Sequence, residues 1–194
     1  MPLKYSKDKT KGILDSVRPH FPKDRGTKAA TKSVKMQARV NFVDGHLMTA
    51  DIRHGAFRII TDEPSLYGGH DLAPAPLEYF VAGFALCEAA QYLWQIVDMG
   101  LDVDDIALEV KTLSSWSPLL ADGVEDAVGP EFSRVSVSVW IESPEPRERI
   151  EELLLRSARQ CPAHASLEKP MKIDTKLHLN EGIPGVSKPE LFTH

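Results

Sequence analysis

Cysteine is scarce in this chain: 194 residues hold two, Cys87 and Cys161, separated by 74 positions. That number and spacing exclude the disulfide framework of a small secreted domain and the CxxC knuckle of a zinc module, so in a reducing compartment both are thiols. Long apolar runs are missing too. No uninterrupted run approaches the roughly 18 to 20 apolar residues that span a bilayer, and the opening MPLKYSKDKTKG has no apolar core of a secretory signal. The expectation is a cytoplasmic protein without a membrane partner. Internal repeats and low-complexity segments are also lacking.

What remains is ordinary globular composition, 42% hydrophobic and 26% charged, at a length that suits one domain with tails. Charge is uneven. Residues 1–34 carry nine Lys or Arg against three Asp, a balance of +6 that leaves −11 on the remainder. A basic arm is one route to nucleic acid, but this one has few aromatics for stacking and no reading motif. A solvated arm, or one lying on an acidic surface of its own chain or a partner, is the reading adopted.

The arm covers 1–33, with one short helix in KYSKDKTKGILDSV that RPHFPKDRG ends. A domain follows over 34–180, and 181–194 is a Gly/Pro tail. VKMQARVNF, HLMTADI and AFRIIT, parted by DG and HG turns, predict three strands in a meander. The loop DEPSLYGGHDLAPA leads to Pro76, which suits the first position of a helix running to Met99, where Gly100 stops it. That helix is apolar on most sides, which predicts burial. IALEVKTL and FSRVSVSVWI alternate as two half-exposed strands, and SPLLADGVEDAVGPE between them is an excursion or flap. PRERIEELLLRSARQ is an amphipathic helix, CPAHASLEKP restarts one at Pro162, and MKIDTKLHL alternates as a last strand. The order predicts an α+β fold with mainly antiparallel sheet. A helix as apolar as 76–99 needs more cover than one small sheet offers, so the expected form is an intimate homodimer enclosing two such helices.

A thiol reacts as its thiolate, helped by a helix N-terminus, a cation or a second thiol. Cys161 precedes Pro162, so its sulfur is expected at the N-terminus of the following helix, with His164 on the same side, as an activated or leaving thiol. Cys87 sits in mid-helix, where periodicity alone favours packing. Glu78 lies nine positions earlier, about half a turn out of phase, and is not expected to touch its sulfur. His70 and Asp71 in GGHD are read as a turn residue and a capping carboxylate in preference to a Cys/His/Asp triad or zinc ligands.

The run DEPSLYGGHDLAPAPLEYFVAGFALC, followed by a CP step at a helix end, resembles the OsmC/Ohr family of osmotically induced and organic hydroperoxide resistance proteins, in its OsmC-like branch, over residues 34–180. The resemblance implies an intertwined homodimer with two long central helices back to back. It further implies a thiol peroxidase that reduces organic hydroperoxides: Cys87 becomes a sulfenic acid, Cys161 resolves it as a disulfide, and an external dithiol such as a lipoylated protein reduces that, with no bound cofactor or metal. In the active branches an Arg–Glu pair supports the thiolate. Here residues 62–75 contain neither Arg nor Lys, and Leu77 stands one before Glu78 where the hydroperoxide branch has Glu. Glu78, Arg58, Arg39 and His70 are the possible supporting residues. The alternative is a non-catalytic dimer holding an apolar or thiol-reactive small molecule in its interface cleft.

Overall fold

The computed structural model describes residues 7–17, 35–114, 131–169 and 171–180, and the chain divides into two compact units, one centred on residues 34–76 and one on residues 77–169. The expected arm helix is α1 (Lys7–Val17). The excursion SPLLADGVEDAVGPE, apart from its last residue Glu131, and the tail at 181–194 lie outside the described residues.

In the first unit β1 (Ala38–Asp44), β2 (Leu47–Ile52) and β3 (Phe57–Thr61) form the antiparallel meander that the alternation predicts. Its turns are where the DG and HG steps put them. Gly45 takes φ 54°, and the second turn runs left-handed through Arg53, His54 and Gly55, the backbone twist that short hairpin connections require. Arg39 on β1 and Arg58 on β3 both stand directly opposite Asp51 on β2.

The Gly-rich loop that follows is organised by Asp62. Its carboxylate is buried and accepts backbone N–H groups of Glu63 at 2.9 Å, His70 at 2.9 Å and Leu72 at 3.3 Å. Burial alone pushes this carboxyl up, but those three donors and the nearby His70 outweigh it and hold it below its ordinary value. The capping carboxylate of the GGHD turn is therefore Asp62, eight residues before His70, and not Asp71. Gly69 is fixed by sterics, because a Cβ there would lie 1.8 Å from the Glu63 carbonyl oxygen. Thr61 closes the loop by donating its hydroxyl to the Pro74 carbonyl at 2.9 Å.

In the second unit α2 (Pro76–Met99) keeps the predicted bounds. It ends in a Schellman motif: Gly100 at φ 64° donates to the Val97 carbonyl at 3.2 Å, and Leu101 to that of Ile96 at 2.9 Å. β4 (Asp105–Ser114) and β5 (Phe132–Glu142) form an antiparallel ribbon in which Ile106 faces Ile141 and Leu108 faces Val139. α3 (Arg147–Gln160) and α4 (Pro162–Leu167) complete it. The core gathers Tyr92 and Ile96 of α2, Leu101, Val103 and Leu153 of α3, with the inward faces of both strands packed on it. Each fully buried side chain of this kind contributes about 1.5–3 kcal/mol.

Two expectations change. MKIDTKLHL forms no strand, since residues 171–179 are irregular and exposed. Alternation marks which side chains share a face, but a strand also needs an edge to pair with. The helix 76–99 is buried along one stripe, Phe84, Glu88, Tyr92, Gln95 and Ile96, while Phe80 at 49% and Leu86 at 71% exposure stand open. By length and apolarity this helix also passes as a membrane span. The hydrogen bonds of its two buried polar residues, Glu88 to His164 and Gln95 to Gln160, instead tie it to α4 and α3 as a core helix.

Candidate functional site

The two cysteines meet. Cys87 is presented by the fourth turn of α2, half-buried, and Cys161 by the junction of α3 and α4, where it is fully buried; their sulfurs are 3.5 Å apart. Pro162 produces that junction. It cannot continue α3 and starts α4, so Cys161 takes an extended backbone, φ −74° and ψ 116°, and caps the new helix. The expected helix-start contact is present, for the His164 backbone N–H donates to the Cys161 sulfur at 3.5 Å.

The expected activation of Cys161 is not. Its thiol is pushed up to about 11, first by burial, then by Cys87 and the negative charge of Glu88, with the single N–H of His164 pulling the other way. One donor from a short helix does not offset removal from water beside a carboxylate. Cys161 is thus held as a neutral thiol, and Cys87 is the more accessible sulfur of the pair.

Glu88, next to Cys87, is 1% exposed, and its Oε1 lies 2.6 Å from Nδ1 of His164. The other ring nitrogen of His164 lies 3.3 Å from Oε1 of Glu168, and the Phe84 ring stands 6.1 Å away. The Tyr92 hydroxyl is pushed up to about 12 by burial and by the charges of Glu88 and Cys161. Glu88 is one of the few polar residues in α2. The available signal was its spacing, four residues from both Phe84 and Tyr92 on the buried stripe.

Arg58 donates Nε to Asp51 at 2.6 Å and Nη2 at 3.1 Å, and its guanidinium, with the charge of Arg39 behind it, keeps the Asp51 carboxyl below its ordinary range. His70 is held by its backbone N–H on Asp62. Glu78 lies in the first turn of α2, exposed. Arg39, Arg58 and His70 belong to the unit that does not carry the cysteines. Among the described residues no cluster of three or more His, Cys, Asp or Glu is arranged to hold a metal ion. Along α2 toward its N-terminus, Phe80 and Phe84 join Val110, Phe132, Val135 and Leu167 in lining a small apolar recess.

Mixed helix and antiparallel sheet, with two thiols brought together at a helix junction, defines a protein of the α+β class. The sequence pattern of the OsmC-like protein family matches residues 68–176, spanning that junction, the long helix and the Gly-rich turn, and the chain belongs to this family. The fold agrees. An OsmC-like protein from Mycoplasma pneumoniae superimposes with a TM-score of 0.58 at 20% identity, over 71% of this chain and 89% of that one. An organic hydroperoxide resistance protein OsmC from Legionella pneumophila gives 0.53 at 15%, over 71% and 91%. One from Elizabethkingia anophelis, with thiocyanate bound, gives 0.52 at 16%, over 70% and 90%. No protein of curated function matches the sequence.

Proposed function

We propose that the protein is a thiol peroxidase for organic hydroperoxides, with Cys87 as the peroxidatic and Cys161 as the resolving residue. The observation that carries this reading is the 3.5 Å separation of a half-exposed and a fully buried sulfur. The Cys87 thiolate attacks the distal peroxide oxygen, the O–O bond breaks, and the alcohol leaves with a proton. Cys87 is then a sulfenic acid. Cys161 attacks that sulfur, an S–S bond of about 2.05 Å forms, and water departs with the Cys161 proton. An external dithiol, for which a lipoylated protein is suited, returns both thiols by exchange.

Support comes from two sides. Structural neighbours from Legionella pneumophila and Elizabethkingia anophelis are organic hydroperoxide resistance proteins. The exposed Phe80 and Leu86 on α2 fit a cytoplasmic homodimer in which a second copy covers them. In that assembly Arg39, Arg58, Glu78 and His70 are the supporting candidates, each tested by its Ala variant.

The decisive assay follows consumption of cumene hydroperoxide with dihydrolipoamide. Cys87→Ser is expected to abolish turnover and Cys161→Ser to allow one oxidation without a disulfide. Equal rates for wild type and Cys87→Ser would end the peroxidase reading and leave that of a non-catalytic dimer holding an apolar or thiol-reactive small molecule in its interface cleft.

A further inference from the structure

His164 meets Cys161 with its backbone and the chain neighbour of Cys87 with its ring. Its backbone N–H donates to the Cys161 sulfur at 3.5 Å, while its ring meets Glu88, the chain neighbour of Cys87, at 2.6 Å. The contacts close a circuit: Cys87 to Glu88 by the chain, Glu88 to His164 by the ring, His164 to Cys161 by the N–H, and sulfur to sulfur at 3.5 Å. Both ring nitrogens face carboxylate oxygens, Glu88 from α2 and Glu168 from the end of α4. A neutral imidazole donates from one nitrogen only, and an imidazolium from both. Glu88 is enclosed, whereas the Glu168 side chain is 66% exposed, so the buried contact dominates what the sulfurs feel.

We infer that Glu88 and His164 form a pH-dependent charge balance for the Cys87–Cys161 dithiol, with His164 as the positioning residue. With His164 charged, the pair is neutral and a thiolate beside it meets no net repulsion. With His164 neutral, the Glu88 carboxylate stands uncompensated next to the sulfurs, and forming a thiolate there is harder. The dithiol thereby loses less reactivity toward acid pH than it would beside a fixed Glu88 charge. The groups facing the pair are Glu88 and Tyr92 from α2, Glu168 and Cys161 from the two ends of α4, and Cys87 itself.

The inference rests on the paired thiols of the proposed peroxidase and not on hydroperoxide chemistry, so its test uses thiol–disulfide exchange. With oxidised glutathione, one cysteine thiolate attacks the disulfide and a glutathione thiolate leaves. The second cysteine displaces another from the mixed disulfide, so two protein thiols become one disulfide as one glutathione disulfide becomes two thiols. Rates are measured on the full chain from pH 6 to 9, the span in which imidazole ordinarily titrates. In the wild type, log rate is expected to rise with a slope below one through that span. His164→Gln should slow exchange about threefold to tenfold at pH 6 and little at pH 9, and Glu88→Gln should speed it by a similar factor at pH 9 and little at pH 6. Glu88→Asp, which keeps the charge, should restore the wild-type profile. A purely structural role would move the rates by the same factor at every pH, and that result, or a wild-type slope of one throughout, overturns the inference. Loss of peroxidase activity without change in these profiles bears only on the proposed function.

Discussion

Cysteine reactivity offers the sharpest quantitative check on the site. Cys87→Ser leaves Cys161 as the sole thiol, still fully buried and still beside Glu88. In the intact protein its thiol stands at about 11 against an ordinary 9.0, which at neutral pH leaves about a hundredfold less thiolate. A more basic thiolate is also a better nucleophile, by about tenfold across that difference. The net expectation is alkylation by iodoacetamide about tenfold slower than that of an unstructured thiol peptide, before burial slows it further. Losing Cys87 removes one of the causes that raise the thiol, so the variant's midpoint should fall somewhat yet stay above 9.0. The assay is the rate of mass gain between pH 7 and 11. A rate that levels off at or below pH 9, or that equals the peptide's, refutes the claim that burial and Glu88 hold Cys161 as a neutral thiol. The linkage has a matching sign. A folded-state value raised above the unfolded one gives stability that is complete below about 9 and is lost as pH rises through about 11.

Leu153→Ala, at a side chain with no exposure in the core cluster, should cost about 2–5 kcal/mol, read as a lower urea midpoint at unchanged slope. Gly69→Ala places a methyl 1.8 Å from the Glu63 carbonyl oxygen, so the Asp62 loop must shift; a destabilisation of about 3 kcal/mol or more is expected, and an unchanged midpoint would contradict the loop geometry. Asp62, whose folded value is depressed, contributes stability that is present above its unfolded value near 3.8 and lost as pH falls through the folded one. Asp62→Asn should flatten that acid limb in a pH series of thermal melts.

Much of the frame is legible in the residues. Alternation in VKMQARVNF, HLMTADI and AFRIIT with DG and HG between them specifies a meander, because side-chain period and left-handed turn residues are both local properties. Pro76 and Gly100 bound the long helix for the same reason. MKIDTKLHL shows the limit of this logic, since its alternation is as good as that of β4, yet the partner edge a strand needs is not written in its own residues. Glu88 shows another. As a residue type it reads as a solvated interruption, and only its place on the stripe of Phe84 and Tyr92 hints at burial.

The sequence by itself determined the meander, the long helix, the two thiols and the kink at Pro162 that presents Cys161 to a helix start, because propensity, periodicity and proline sterics act over a few residues. Tertiary structure decided what those thiols are. It brought sulfurs 74 positions apart to 3.5 Å, buried one and left the other half-open. It also set a carboxylate and an imidazole beside them, which reversed the electrostatics expected of Cys161. The reason is that desolvation and charge depend on distance in space, and packing alone fixes that distance.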